Sequence, residues 1–232
     1  MKKSQAIDAY GGKETWTKAK SIEAEFSARG LAFTLKRRPK LRRAKIAMNI
    51  SRPFSRITPI GRNREISGVL NNQDVHVEGV DGEVIRERKN ARQYFPGGRR
   101  LLYWDDLDMA YFANYAMWNY LTLPALLMRT DIIWKEIEAG FLEALFPKEI
   151  PTHSQRQHFR FDLDTGLLLQ HDYTAEVISR LAKAAHIVLD HSEMKGLKFT
   201  SHRRVTPRSA KGKPLGGPTL IEITIHDYQL NF

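Results

Sequence analysis

The residues best suited to acid–base chemistry lie in the C-terminal half of the chain, at His171, Asp172 and His186. A histidine beside a carboxylate can take up and release a proton near neutral pH, so these three residues are weak candidates for catalytic groups. No G-x-S-x-G nucleophile motif, phosphate-binding glycine loop or H-E-x-x-H motif accompanies them. An enzyme, such as a hydrolase that uses this His/Asp cluster, is therefore the third of three functional hypotheses.

Metal and thiol chemistry has little support in the sequence. The pairs His153 and His158, and His186 and His191, are each five positions apart, so the two members of a pair face opposite sides of a strand. Residues 162–166 (DLDTG) open like a calcium loop but lack its later ligands and closing glutamate. The chain has no cysteine, which excludes disulfides, thiol catalysis and cysteine–zinc sites. The sequence predicts no metal and no cofactor.

Positive charge is concentrated in one segment. From Phe26 to Arg64 there are twelve basic residues and no acidic one, and this segment carries the whole net charge of +11. Such a segment attracts anions, so the second hypothesis is a docking protein that uses this basic surface for nucleic acid or another anionic partner, such as an acidic protein. In the leading hypothesis given below, the same residues would meet a lipid headgroup or an anionic membrane surface. Only Phe33 and Phe54 lie nearby for base stacking, which disfavours nucleic acid. The proline at position 39 predicts a hairpin tip, where the candidate anion-binding residues are Lys36, Arg37, Arg38, Lys40, Arg42 and Arg43.

The spacing of apolar residues over 104–128 predicts a helical segment that is apolar on both sides and interrupted at Pro124. Asp105, Asp106 and Asp108 suit its N-terminus because negative charge is favourable there. Its uncharged stretch from Met109 to Met128 has the length of a membrane span, but its Asn, Thr, Tyr and Pro residues fit a buried helix better. The aromatic stripe is either plain core or the wall of an apolar pocket. The predicted pocket residues are Trp104, Leu107, Tyr111, Tyr115, Trp118, Phe159 and Phe161.

Most of the remaining chain alternates apolar and polar residues with the period of a half-buried strand, as in Ile22–Ala28 and Ile221–Ile225. Leu31, Phe33 and Leu35 continue that alternation and predict a second strand. Short turns between the strands indicate antiparallel meanders. We expect a mainly β (α+β) fold, with a large curved antiparallel sheet or half-open barrel of about 11 strands. The segment 1–19 is expected to be helical, and residues 1–232 to form a single domain, with the central helix covering the concave face of the sheet.

Three segments of the sequence resemble bacterial proteins of the lipoprotein-localisation-factor (LolA/LolB-like) superfamily. They are Ala6–Trp16 (AIDAYGGKETW), Trp104–Tyr120 (WDDLDMAYFANYAMWNY) and Phe159–Ile178 (FRFDLDTGLLLQHDYTAEVI). The resemblance implies a half-open antiparallel barrel whose helices close over an apolar cavity for acyl chains.

The leading hypothesis is therefore a non-catalytic binding or carrier protein for a lipid or another apolar molecule. Residues 1–12 contain no apolar run of signal-peptide length, so the expected location is cytoplasmic for the sequence as written. It would be periplasmic, or otherwise extracytoplasmic, if a leader has been removed.

Overall fold

The structure, a computed structural model, describes residues 3–62, 65–95, 98–209 and 212–232. Five α-helices are present in these ranges: α1 (Lys3–Ala9), α2 (Gly12–Lys18), α3 (Leu31–Leu35), α4 (Asp106–Leu121) and α5 (Leu123–Met128). Two 3₁₀ helices span Ala91–Tyr94 and Gly98–Leu101. The strands are β1 (Ser21–Arg29), β2 (Leu41–Asn49), β3 (Phe54–Thr58), β4 (Ser67–Asn71), β5 (Asp74–Glu78), β6 (Val84–Arg88), β7 (Ile133–Glu138), β8 (Phe141–Leu145), β9 (Arg156–Phe161), β10 (Leu168–Thr174), β11 (Lys183–Met194), β12 (Leu197–Pro207) and β13 (Ile221–Asn231).

All of these strands join one antiparallel sheet, in the order β6-β5-β4-β3-β2-β1-β13-β12-β11-β10-β9-β8-β7. Strand β13 pairs with β1 on one side and β12 on the other, so it joins the N-terminal and C-terminal halves of the sheet. The sheet does not close into a barrel, and β6 and β7 are its edges. These two edges are consecutive along the chain, so the connection between them has to cross the sheet, and α4 and α5 lie in that connection. The mainly β, antiparallel, helix-covered fold predicted from the sequence is confirmed.

The strands follow the alternation in the sequence. In β1, Ile22, Ala24, Phe26 and Ala28 are buried, whereas the residues between them are more exposed. The period of two places those four side chains on the inner face of the sheet, toward α4. Hydrophobic burial of this inner face drives the helical connection onto it.

The predicted number of strands and one predicted strand are wrong. The sheet has thirteen strands rather than about 11, and β4 was not predicted. The expected strand at Leu31–Leu35 is helix α3, in which Phe33 is buried while Leu31 and Leu35 are exposed. Gly30 precedes it with a φ of +131°, and a Cβ there would lie 2.4 Å from the carbonyl oxygen of Leu220. This left-handed, tightly packed glycine turns the chain out of β1 before it returns as β2.

The N-terminus of α4 is fixed by a capping box and by buried ion pairs. The Asp105 carboxylate accepts from the Asp108 backbone N–H at 2.8 Å, and the Asp108 carboxylate accepts from the Asp105 N–H at 3.1 Å. Arg88 of β6 donates to both carboxylates, at 2.7 and 2.6 Å, and Arg100 Nε donates to Asp108 at 2.7 Å. This end of the helix is therefore tied to the edge strand β6. The predicted interruption at Pro124 is also found, since α4 ends at Leu121 and α5 begins at Leu123.

Within the described ranges, no helix combines the length and the hydropathy that a membrane span requires. Arg64, the last residue of the basic segment, lies outside the described residues.

Candidate functional site

The two sides of α4 make different kinds of contact. One side packs against β3, β4 and β5, and we call it the anchored face; it comprises Leu107, Tyr111, Asn114 and Trp118. Asn114 accepts from Ser55 Oγ at 2.8 Å and donates to the Gly68 carbonyl at 3.0 Å. Trp118 Nε1 donates to the Asn49 carbonyl at 2.7 Å. Three hydrogen bonds made by Asn114 and Trp118 therefore fix the position of this face on the sheet.

The anchored face also approaches the sheet very closely. A Cβ on Gly68 of β4 would lie 2.6 Å from the Cβ of Ala110 and 2.9 Å from Cγ1 of Ile60. No side chain fits between α4 and β4 at this point, so the helix backbone rests almost directly on the strand.

The opposite side of α4, which we call the seam face, comprises Met109, Phe112, Ala113, Ala116 and Met117. It meets the inner face of β1, β2 and β13, where the facing side chains are Phe26, Ala28, Leu41, Ile221 and Ile223. A cavity of about 30 Å³ lies between these two sets of side chains. Its lining is almost wholly apolar because Tyr120, at the end of the seam face, is the one lining residue with a polar side-chain atom. We call this interface the seam.

Helix α3 closes one end of the seam. Phe33 of α3 lines the seam cavity and also a second cavity of about 20 Å³, which extends toward Trp104. Trp104 Nε1 donates to the Arg100 carbonyl at 3.0 Å, and the Lys36 ammonium donates to the carbonyls of Arg100 and Leu101 at 3.0 and 2.6 Å. The mouth of the seam is thus framed by α3 and the 3₁₀ helix Gly98–Leu101.

The residues predicted to line a pocket are placed differently. Trp104 borders the second cavity, but none of the other six borders either cavity of the seam. Leu107, Tyr111 and Trp118 are on the anchored face, and Tyr115 lies beside it. In the sheet, Phe159 stacks on His171 with ring centroids 4.2 Å apart, and Phe161 is also buried. The two cavities of the seam therefore lie on the side of α4 opposite to Leu107, Tyr111 and Trp118.

A buried cluster of aromatic and histidine side chains surrounds the C-terminal half of α4. Tyr115 and Tyr120 of α4 hydrogen-bond the two ring nitrogens of His153, at 3.1 and 2.6 Å. Tyr173 stacks on His153 with ring centroids 3.8 Å apart, and its hydroxyl bonds that of Tyr120 at 2.9 Å. His186 packs edge-on against Tyr120 at 4.4 Å. The cluster fastens the end of α4 to β10 and β11.

The histidines in this cluster are neutral near pH 7. Burial is the main cause that lowers the pKa of His153, His171 and His186 well below the ordinary value of 6.5, and Arg92 or Arg203 adds to the effect by repulsion. Neither ring nitrogen of His186 has a hydrogen-bond partner among the described residues.

The predicted catalytic trio is not assembled. His171 and His186 are directly paired across β10 and β11 and share the inner face. Asp172 follows His171 on the same strand and therefore faces the other side. There its carboxylate accepts from Gln170 at 2.7 Å and lies 3.6 Å from Arg208. The sheet separates the carboxylate from both histidines, so Asp172 pairs with neither His171 nor His186.

The predicted anion-binding surface is also smaller than expected. Lys36 is 5% exposed, and its ammonium is held by backbone carbonyls. The Arg38 side chain is 6% exposed and pairs with Asp106. Arg43 is exposed and pairs with Glu25 at 2.5 Å. Lys36 and Arg38 are therefore structural, and the exposed residues of the predicted set are Arg37, Lys40, Arg42 and Arg43.

Two larger cavities lie against the outer face of the sheet. One of about 430 Å³ is bordered by charged side chains that include Glu23, Lys45 and Asp227, and one of about 210 Å³ by Arg29, Lys40 and Glu222. Their charged borders do not suit an apolar ligand. Within the described ranges, no group of three or more His, Asp or Glu side chains is arranged to hold a metal ion.

Comparison with solved structures places this architecture among LolA-like folds. A LolA superfamily protein from Nitrosomonas europaea matches with a TM-score of 0.53 at 8% identity, over 98% of this chain and 91% of that one. A DUF1329 family protein from Desulfovibrio piger matches with a TM-score of 0.51 at 13% identity, over 99% and 91%. A putative outer membrane lipoprotein-sorting protein domain from Vibrio parahaemolyticus matches with a TM-score of 0.50 at 9% identity, over 97% and 89%.

These likenesses show that the chain has a LolA-like fold, as its sequence motifs predicted. No family model matches the chain, and no curated protein matches it in sequence.

Proposed function

We propose that this protein binds a single apolar chain, such as the acyl chain of a lipid, in the seam between α4 and strands β1, β2 and β13. The observation that carries the proposal is the contrast between the two sides of α4. Hydrogen bonds fix the anchored face, whereas the seam face meets the sheet through small, aliphatic, aromatic and methionine side chains around an apolar cavity.

The seam is nearly closed in this structure. Cavities of about 30 and 20 Å³ are far smaller than the roughly 300–1,000 Å³ of a typical ligand pocket, so an acyl chain enters only if the seam opens. Opening would separate Met109, Met117 and Phe112 from Phe33 and Ile223, and these side chains exchange no hydrogen bond. Methionine repacks easily around a new shape, and burying each methylene of the ligand returns about 0.8 kcal/mol.

The length of the seam suits a linear ligand. Met109 and Tyr120, at its two ends, are eleven residues apart on α4, which corresponds to about 16 Å along the helix axis. A medium-length acyl chain extends over a similar distance.

The similar solved structures also support a lipid as the ligand. One protein with this fold is described as a putative outer membrane lipoprotein-sorting protein domain. That description agrees with a lipid or lipoprotein ligand and favours an extracytoplasmic place of action over the cytoplasm.

The mouth of the seam has the composition of a lipid-facing surface. Leu35, Leu101 and Leu102 are 52, 51 and 70% exposed around it, and the exposed Arg37 lies two positions after Leu35. Apolar side chains beside a cation suit an anionic membrane surface, from which the ligand would be taken. Leu102→Asp should weaken sedimentation with anionic lipid vesicles. The same change at Leu181, 87% exposed in the turn between β10 and β11, should not.

The binding proposal is tested with a ligand that carries no charge. Delipidated protein is mixed with the neutral dye Nile red, and dodecanol is used to displace the dye. Ala116→Leu fills the seam, so it should weaken dodecanol binding at least tenfold. Ala47→Leu is a matched control because Ala47 is exposed on the outer face of β2. Thermal unfolding of both variants verifies that they are folded. A wild-type protein that ignores dodecanol, or a folded Ala116→Leu variant that binds it normally, would overturn the proposal.

A further inference from the structure

The strongest unassigned feature is a buried arginine near the inner end of the seam. Arg203 lies on the inner face of β12 and is 2% exposed. Its guanidinium donates from Nε to Thr200 Oγ1 at 2.6 Å and from Nη2 to the Tyr120 carbonyl at 3.1 Å. It also lies 5.2 Å from the centre of the Tyr120 ring. These partners are all neutral.

No carboxylate in the described parts of the chain forms an ion pair with Arg203. Four phenols face it: Tyr10, which directly follows α1, Tyr120 of α4, Tyr173 of β10 and Tyr228 of β13. The imidazoles of His171, His186 and His191 are also close enough to interact with its charge. Burial raises the pKa of Tyr10 to about 12 and the pKa of Tyr120 well above its ordinary value, so these phenols do not supply negative charge near pH 7. A guanidinium stays protonated there, and an unpaired buried cation is costly for a fold to keep.

The guanidinium borders a cavity that has room for a small polar group. This cavity of about 20 Å³ is also lined by Tyr10, Thr200, Phe199 and Leu121. Its volume is enough for about one water-sized group. The space beside the cation can therefore hold one small polar group.

This cavity adjoins the inner end of the seam. Tyr120 lines both of them. Ile223, which lines the seam, is the direct cross-strand partner of Arg203 on β13. A chain that lies along the seam face from Met109 to Tyr120 would therefore bring its end group to Arg203.

We propose that Arg203 binds the carboxylate of a ligand whose apolar chain occupies the seam, which makes the ligand a medium-chain carboxylic acid. The inference rests on the proposed function and adds the chemical class of the ligand. The Nε and Nη2 groups of Arg203 are engaged with Thr200 and the Tyr120 carbonyl, so Nη1 is the nitrogen left to donate to a carboxylate. Such a charge-assisted hydrogen bond would also neutralise the buried guanidinium.

The test compares two ligands that differ only in their end group. Wild-type protein should bind dodecanoate at least tenfold more tightly than dodecanol. Arg203→Met keeps a long apolar side chain without charge, so it should abolish the preference and leave dodecanol affinity unchanged. Arg203→Lys should keep part of the preference. Arg180→Gln, which removes an exposed cation in the turn between β10 and β11, should keep all of it.

A measurement on the unmodified chain covers the case in which Arg203→Met does not fold. With ¹⁵N-labelled arginine, one exchange-protected Nε resonance should shift when dodecanoate is added and should not shift with dodecanol. Equal affinity of the wild type for the two ligands would overturn the carboxylate assignment and leave the proposed function standing. So would a preference that survives in Arg203→Met. If acetate displaces dodecanoate at a similar concentration, Arg203 is a site for free anions instead. If Arg203→Met loses dodecanol binding as well, the result would count against the seam as the binding site of the apolar chain.

Discussion

The two faces of α4 have nearly the same overall hydrophobicity and are held by different forces. Asn114 and Trp118 on the anchored face form hydrogen bonds to β2, β3 and β4, and Gly68 lets the helix touch the sheet. Met109, Ala113 and Met117 on the seam face make only apolar contacts around a cavity.

This difference between the two faces explains how one helix can be part of the core and also form the wall of a binding site. Hydrogen bonds are directional, and a buried donor or acceptor that loses its partner is costly, so the anchored face keeps its position. Dispersion contacts between methionine, alanine and aromatic side chains can be replaced by those of an acyl chain at little cost. Separation should therefore begin at the seam and leave β3–β5 attached.

Acid should cause the largest loss of stability, through the buried histidines that surround the C-terminal half of α4. His153, His171 and His186 stay neutral in the folded protein because burial lowers their pKa, whereas the unfolded chain takes up protons below pH 6.5. The unfolded state then binds more protons, so the free energy of unfolding falls as pH falls below 6.5. Each histidine contributes up to about 1.4 kcal/mol per pH unit. His191, with a pKa of about 4, acts in the same direction down to that pH.

Thermal unfolding followed by circular dichroism between pH 7.5 and 5 measures this loss. His186→Phe removes a buried imidazole without hydrogen-bond partners, so it should make the pH dependence shallower. His226→Gln, a change at a partly exposed histidine of β13, is the matched control. A Tm that stays constant over this range would contradict the assignment of neutral, buried histidines.

Asp108→Ala should cause the next largest loss. This fully buried carboxylate pairs with Arg88 and Arg100 and completes the capping box of α4. Removing it leaves two largely buried guanidinium groups short of a partner, which costs about 3–5 kcal/mol in comparable buried pairs. Urea denaturation gives the value. Glu14→Ala, which breaks the exposed pair with Lys18, is the control and should change stability little.

Gly68→Ala tests the close approach on the anchored face. The added methyl would lie 2.6 Å from the Cβ of Ala110, so α4 or β4 must shift. Overpacking of this kind costs about 1–3 kcal/mol, which urea denaturation resolves. Gly216→Ala makes the same change where no other atom lies within 4 Å of the new Cβ, and it should be close to neutral. Equal effects of the two changes would mean that α4 does not rest on β4 as described.

The sequence specified most of the fold because the sheet depends on a local pattern. Ile22, Ala24 and Phe26 alternate with polar residues, and this alternation gives both the strand and its buried face. Leu31, Phe33 and Leu35 alternate in the same way but form a helix, because five residues do not distinguish a short helix from a strand. The deciding contact, between Gly30 and the backbone of Leu220, joins residues that are distant in the sequence.

The position of the candidate site on α4 was harder to predict than the strands. Since α4 is apolar all round, its hydrophobic pattern does not indicate which side meets a cavity. The available signal was chemical: Asn114 needs hydrogen-bond partners, whereas Ala113, Ala116 and Met117 need none. Nothing in the sequence indicated that the Arg203 side chain is buried. It stands next to Arg204 in a polar stretch, and only the strand pairing shows that its side chain points inward.

Met117→Leu, a change on the seam face, should have the smallest effect. The two side chains have similar volumes, and the seam beside Met117 contains free space, so the loss in stability should stay below about 1.5 kcal/mol. Urea denaturation measures it alongside Gly68→Ala, which adds a single methyl on the anchored face. A seam that tolerates the exchange is deformable, as entry of an acyl chain requires. If Met117→Leu instead costs more than Gly68→Ala, the seam is packed as specifically as the anchored face, and the difference between the two sides of α4 disappears.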